Sequence, residues 1–340
     1  MKRKLIIHIG MGKTGSSSIQ STLRIAQGTL NSRGVCYLGL MLEHAPSENP
    51  FPWQVDSGWG AFLGLDTKQA NEQLLSVLVE TDKKLPSEIH TLVWSNEALF
   101  DGASLVQSAV EAANEIFDIE IVGYIRRPDS WVTSAYLQWG IKHKSYSGPL
   151  KPFRNWSGGM RYSVMPKIKS WESLGNSIKI FNFNAIGDIA QHFNATLLPE
   201  ATDGINPLRA NETPPSVAMA LFAYYNSLSE GEVLPSELEP LLSKSGIYGN
   251  KQNAKAYNNM LPSEVDVNDY LQKNSAEINQ LNSYFEAHNE PVFDLTEQKV
   301  KDYSTNQHEI NRALLQMIKY LSVEVETLKK KLVTQGASND

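Results

Sequence analysis

His8-Ile9-Gly10-Met11-Gly12-Lys13-Thr14-Gly15-Ser16-Ser17-Ser18-Ile19-Gln20 decides how the rest of the chain is read. Before it runs a short aliphatic stretch, 4–9, with strand character. After it, 16–27 has helical spacing, with Ile19, Leu23 and Ala26 on one face. The glycines let the backbone turn tightly and aim successive N–H groups at an anion. A helix N-terminus adds unpaired donors and partial positive charge. Lys13 brings a full charge, and Thr14, Ser16 and Ser17 bring hydroxyls. The expected feature is a cradle for phosphate or sulfate. The competing reading is an ordinary strand–helix turn capped by a serine.

Working outward, strand and helix signals alternate over the first 200 residues. Strands are expected at 34–38, 90–94, 119–125 and 177–183. Helices are expected at 67–84, at 104–117 and from Pro128 through Gly140. Pro128 suits a first helical position. Residues 39–60, with Pro46, Pro50, Pro52, Trp53 and Trp59, read as a long irregular loop. Strands separated by helices predict an α/β fold, a parallel sheet flanked by helices. Beyond about residue 205 the strand signals stop, and helices are expected at 216–227, 265–286 and 307–333. The expected organisation is therefore an α/β core over 1–205, a helical extension completing the domain over 206–306, and an amphipathic helix with its tail over 307–340.

Composition narrows the function classes. The 340 residues carry a net charge of −6, which argues against a nucleic-acid partner. The charge is uneven. Residues 126–179 hold ten Lys/Arg against two acids, so the remainder of the chain carries −14. A basic segment in an acidic chain suits a groove for an anion, or a solvated face. The single cysteine, Cys36, excludes an internal disulfide and any multi-cysteine metal site. The seven histidines never show helical ligand spacing, and no metal is expected. No apolar run is long enough to span a bilayer, and Met1-Lys2-Arg3-Lys4 leads into a strand and a glycine loop. The expected setting is cytoplasmic, without integral membrane contact.

The loop is not a Walker A motif, which needs a glycine five residues before the Gly-Lys pair. Ile7 stands there. Lys13-Thr14-Gly15-Ser16-Ser17 instead resembles the 5′-phosphosulfate loop of sulfotransferases, typically Pro-Lys-Ser/Thr-Gly-Thr-Thr. Gly12 replaces the proline and two serines replace the threonines. The same family follows a later strand with Arg-x-Pro and places a serine eight residues after that arginine. Here Arg126-Arg127-Pro128 follows the 119–125 strand, and Ser134 stands at the required distance. The resemblance implies 3′-phosphoadenosine 5′-phosphosulfate (PAPS) as donor. Gly12, Lys13, Thr14, Gly15, Ser16 and Ser17 would hold its 5′ end, and Arg126 and Ser134 its 3′-phosphate. It also implies that the parallel sheet is P-loop NTPase-like and that the transfer is metal-free.

The expected chemistry is sulfation of an acceptor hydroxyl, most plausibly on a carbohydrate. Lys13 would stabilise the transition state. The 90–94 strand ends in Ser95-Asn96-Glu97, and a carboxylate past the C-terminal end of a parallel strand lies on the ligand side. Related heparan-sulfate-type and bacterial enzymes place a catalytic glutamate there, so Glu97 is the expected general base. A helix-capping role is its alternative. Aromatic and cationic residues such as Trp53, Trp59, Trp139, Lys142, His143, Lys144, Arg154, Trp156, Arg161 and Tyr162 are candidates for acceptor contact. The competing functions are an ATP-dependent P-loop kinase and a non-catalytic nucleotide-binding scaffold. In the last helix, Leu314, Ile318, Leu321, Val325, Leu328 and Leu332 are spaced 4, 3, 4, 3, 4. That seam either packs onto the chain's own body or forms a homo-oligomer.

Overall fold

The computed structural model describes residues 2–175, 177–208, 214–227, 229–234, 238–247, 260–296, 300 and 304–336. Parts of the expected helical extension, among them 209–213 and 248–259, lie outside the described residues. In chain order the elements are β1 (Arg3–His8), α1 (Ser16–Ile25), α2 (Gln27–Asn31), β2 (Val35–Gly39), α3 (Trp59–Leu63), α4 (Thr67–Lys84) and β3 (Thr91–Ser95). There follow α5 (Ala103–Ala113), β4 (Phe117–Ile125), α6 (Pro128–Ala135), a π-helical segment (Tyr136–Lys142), α7 (Phe153–Ser157), α8 (Met165–Glu172) and β5 (Ser177–Asn182). The rest is helical: α9 (Ile189–Leu197), α10 (Ser216–Ser227), α11 (Leu238–Lys244), α12 (Glu264–Lys273), α13 (Ser275–Ala287) and α14 (Gln307–Gly336).

The chain divides into two compact units. The first comprises Met1–Pro128, Tyr162–Glu212 and Asn274–Leu295. The second comprises Asp129–Arg161, Thr213–Lys273 and Thr296–Asp340.

The first unit is an α/β layer structure around five strands, all parallel, in the order β2-β3-β1-β4-β5. The strands are apolar on both faces, as a sheet covered by helices on both sides requires. On one face Ile6, Val93, Val122 and Tyr124 pack under Ile19 and Leu23 of α1 and Ile189, Phe193 and Leu197 of α9. Leu5 and Ile7 alternate with Ile6 and face the other layer. There α4 packs on α5, α5 on α8, and α8 on α13. Trp171 of α8 is fully buried and donates its indole N–H to the Leu99 carbonyl at 3.1 Å. At the middle of the sheet Glu120 accepts from Lys4 and Lys179 on the neighbouring strands. Burial pushes its carboxyl up, but the two ammonium groups outweigh this and hold it below the usual range.

The chain winds from β1 to β2 in one direction and from β4 to β5 in the other. The reversal lies between β1 and β4. The crevice outside the carboxyl ends of those two strands is where open α/β sheets take ligands. The Gly10–Ser16 loop leaves β1 there, and Arg126 leaves β4 there.

In the second unit α10, apolar on nearly all sides, packs against the π-helical segment. Gly140 makes this segment possible, because a Cβ there would stand 2.3 Å from the Tyr136 ring. Lys144, read from the sequence as an acceptor contact, is fully buried and caps the carbonyls of Ser229 and Gly231. Asn226 donates to the Ile141 carbonyl at 2.5 Å.

Several expected boundaries move. The 104–117 helix ends at Ala113, and Phe117 already begins β4. The helix from Pro128 keeps its α geometry only to Ala135 before widening into the π turn. The 265–286 helix breaks at Asn274, whose side chain accepts from the Tyr162 N–H at 3.0 Å. Its halves, α12 and α13, belong to different units. The short helices α2, α3, α7, α8 and α11 were not expected, α3 beginning inside the stretch read as an irregular loop, and α9 was missed although Ile189, Ala190, Phe193, Asn194 and Leu197 share its buried side.

Candidate functional site

Two backbone positions shape the loop. Lys13 has φ 72° and Gly15 φ 82°, both left-handed. Glycine adopts this freely, whereas lysine does so at a cost of roughly 1–2 kcal/mol. Gly15 is also the only residue type that fits, because a Cβ would meet Ile189 at 2.7 Å. It caps α1 without a side-chain hydrogen bond, so the first turn of that helix is presented by backbone alone.

The hydroxyls of the loop differ in role. Thr14 is buried and donates to the Met11 carbonyl, which closes the turn. Ser16 is buried, and its Oγ has no hydrogen-bond partner. Gly12, Lys13, Gly15 and Ser17 are half-buried at the loop's outer side. Beneath them lies His8, fully buried, with Nδ1 on Ser95 Oγ at 2.7 Å and Nε2 unpartnered. Tyr124 and Phe193 pack edge-on against the ring, and burial pushes its pKa down to about 3. Gly10 separates the two orphaned atoms. A Cβ there would be 2.7 Å from His8 Nε2 and 2.8 Å from Ser16 Oγ.

Arg126, from the end of β4, reaches the loop directly. Its Nη1 donates to the Lys13 carbonyl at 2.9 Å, and its guanidinium lies over the Phe183 ring. The Arg126 carbonyl accepts from the hydroxyl of Tyr162, which places Tyr162 as a positioning residue. Arg127 is buried, with its N–H on Asn184 Oδ1. Ser134 is half-buried on α6, in the second unit.

Glu97 stands one strand across from the loop. β1 and β3 pair in register at His8 and Ser95, and the Asn96 N–H continues the ladder onto the His8 carbonyl. Glu97 begins the short 3₁₀ turn Glu97–Asp101, but Asn96 is the residue that caps it, accepting from the Ala98 N–H. The Glu97 carboxylate accepts from Gln20 Nε2 at 2.8 Å. Sequence reasoning missed Gln20, whose only signal is its place one turn beyond Ser16 on α1.

Beside Gln20 opens a cleft of about 390 Å³, lined by Ser17, Gln20, Ser21, Arg24, Leu40, Asp56 and Ser57. The 39–60 loop thus contributes through Asp56 and Ser57 rather than through its tryptophans. Trp53 is buried with its N–H on Gln73, and Trp59 stacks on Phe62. Among the other acceptor candidates, Lys142 pairs with Glu239, His143 bonds Gln138, and Arg154 lies near Asp266 and Asp269.

Among the described residues no group of His, Cys, Asp and Glu could hold a metal ion, and no helix is long and apolar enough to cross a membrane. No protein-family model matches the chain, and no curated protein sequence compared with it does either.

Proposed function

We propose that this chain is a sulfotransferase of P-loop-like fold, moving a sulfuryl group from PAPS to a hydroxyl, most plausibly on a carbohydrate. One observation carries the proposal. The two stretches that resemble the family's donor-binding motifs, 113 residues apart, meet through the bond from Arg126 to the Lys13 carbonyl. They meet at the sheet's reversal point, where such folds bind ligands.

The residues present fit the donor. Ser16 offers a buried hydroxyl with no protein partner, and the left-handed positions at Lys13 and Gly15 shape the loop for close backbone approach to an anion. Gly12, Lys13, Thr14, Gly15, Ser16 and Ser17 would hold the 5′-phosphosulfate, and Arg126 with Ser134 the 3′-phosphate. The donor supplies the sulfuryl group and a phosphate leaving group. Glu97 accepts the proton of the attacking acceptor hydroxyl. Lys13 neutralises the charge left on the bridging oxygen as its bond to sulfur breaks. Gln20 holds Glu97 in place. The acceptor would lie in the neighbouring cleft, where Ser17, Ser21, Asp56 and Ser57 suit sugar hydroxyls and Arg24 suits an acidic substituent.

Calorimetric titration with adenosine 3′,5′-bisphosphate, set against ATP with magnesium, tests the donor. Tight binding of the bisphosphate and none of ATP is expected. The opposite pattern indicates a kinase and overturns the proposal. Transfer of radiolabelled sulfate to a panel of glycans and small alcohols then separates an enzyme from a nucleotide-binding scaffold.

A further inference from the structure

The helix α14 is 30 residues long, and among its described side chains the buried ones, Ile310 and Ala313, lie in its first two turns. Ile310 and Ala313 are buried on the side that meets α10 and α11 of the same unit. The adjacent apolar row is open to solvent. Leu314 is 41% exposed, Ile318 57%, Leu321 47%, Val325 47% and Leu328 55%. From Leu314 to Leu328 the seam therefore faces solvent rather than its own body, one of the two outcomes the sequence allowed; the Leu332 side chain lies outside the described residues.

The spacing of that row is 4, 3, 4, 3, a 3.5-residue repeat rather than the 3.6 of a helix lying on a globular core. Setting Ile318 and Val325 at a places Leu314, Leu321 and Leu328 at d. β-branched residues at a with leucine at d favour a parallel two-stranded coil. The sequence also puts Glu324 at g and Lys329 at the following e, the two positions that face each other between parallel chains. They carry opposite charge, so one such pair forms on each side of a symmetric coil. The fully overlapped antiparallel arrangement would instead bring Glu324 of both chains together.

We propose that α14 pairs with α14 of a second copy of this chain, in parallel and in register, making the protein a homodimer. The seam from Leu314 to Leu328 covers about two heptads, roughly 21 Å of helix. So short a coil is marginal alone. Here the packed root fixes the direction of each helix before the chains meet, which lowers the ordering cost of association. The inference stands apart from the enzymatic proposal.

Light scattering behind size exclusion on the full chain, at tens of micromolar, is expected to give twice the chain mass. The double variant Ile318→Asp/Val325→Asp is expected to give a folded monomer whose melting temperature no longer depends on protein concentration, because both positions face solvent in the single chain. A cysteine at a d position, Leu328→Cys in a Cys36→Ala background, is expected to cross-link through a short bismaleimide. A monomeric full chain overturns the proposal. So does a dimer that survives both aspartates, a trimer, or a dimer that Leu328→Cys fails to cross-link.

Discussion

Gln20 and Glu97 are joined by a 2.8 Å hydrogen bond across 77 residues of sequence. The same Gln20 amide reaches the Ser95 carbonyl at 3.2 Å. The carboxylate is thereby tied to α1, the helix that follows the glycine–lysine loop. Glu97→Gln is expected to leave bisphosphate affinity unchanged and to cut turnover by roughly 10²–10⁴-fold, the usual worth of a general base. Gln20→Met should lower kcat by about tenfold, with KM for the donor and nucleotide affinity unchanged. Steady-state kinetics with parallel calorimetry separates the two. Normal turnover by Glu97→Gln would place the base elsewhere.

Arg126 touches both the loop and, in the proposed complex, the 3′-phosphate. Arg126→Ala should therefore weaken AMP binding somewhat, through the lost Lys13 contact, and weaken adenosine 3′,5′-bisphosphate binding by a further ten- to a hundredfold, about 1.5–3 kcal/mol. Ser134→Ala should weaken the bisphosphate and leave AMP binding unchanged. Equal losses for both ligands in both variants would sink the 3′-phosphate assignment.

Lys13 occupies a left-handed conformation that glycine adopts without strain. Lys13→Gly is expected to raise unfolding stability by up to about 1 kcal/mol in urea melts while abolishing turnover. Lys13→Ala should abolish turnover without that gain. A destabilised Lys13→Gly would mean that the side chain holds the loop rather than a ligand.

His8 gives the first unit a pH dependence. Burial holds its folded pKa near 3, below the ordinary 6.5, so the unfolded chain binds more protons between those values. The stability this group contributes is full above pH 6.5 and is lost as pH falls toward 3. At pH 5 the loss relative to neutral is about 2 kcal/mol. His8→Asn should be less stable at pH 7, yet flatter between pH 7 and pH 5, by denaturant midpoints. An unchanged slope would show that the fold does not lower the imidazole's pKa.

Gly10 admits no side chain beside the orphaned His8 and Ser16 atoms. Gly10→Ala is expected to cost about 1–3 kcal/mol by overpacking and to weaken bisphosphate binding, because Ser16 must move. A variant with unchanged melting temperature and unchanged affinity would remove that space from the proposed site.

Much of the framework was legible in neighbouring residues alone. α4 runs from Thr67 to Lys84 as its periodicity predicts. Asp66 caps its start by accepting from the Gln69 N–H, and Lys83 and Lys84 lie in its last turn. α10 likewise matches its expected span, Ser216–Ser227. The glycine–lysine loop was legible because its conformation is set locally, by which residues accept left-handed φ. The apolar seam of α14 was legible in its spacing, but its exposure was not.

What could not be read is which distant group each side chain meets. Nothing around Gln20 marks it as the partner of Glu97, and nothing around Lys144 marks it as a buried cap rather than a surface cation. Asn274 sits inside an unbroken helical pattern and still divides it, because its side chain accepts from the Tyr162 N–H. Strand, turn and helix follow from interactions within a few residues, which the sequence by itself determined: a parallel α/β sheet, a glycine–lysine loop after its first strand and a heptad helix. Burial, hydrogen-bond partners and the meeting of Arg126 with Lys13 depend on contacts closed over 77 to 113 residues, and only the tertiary structure decided them.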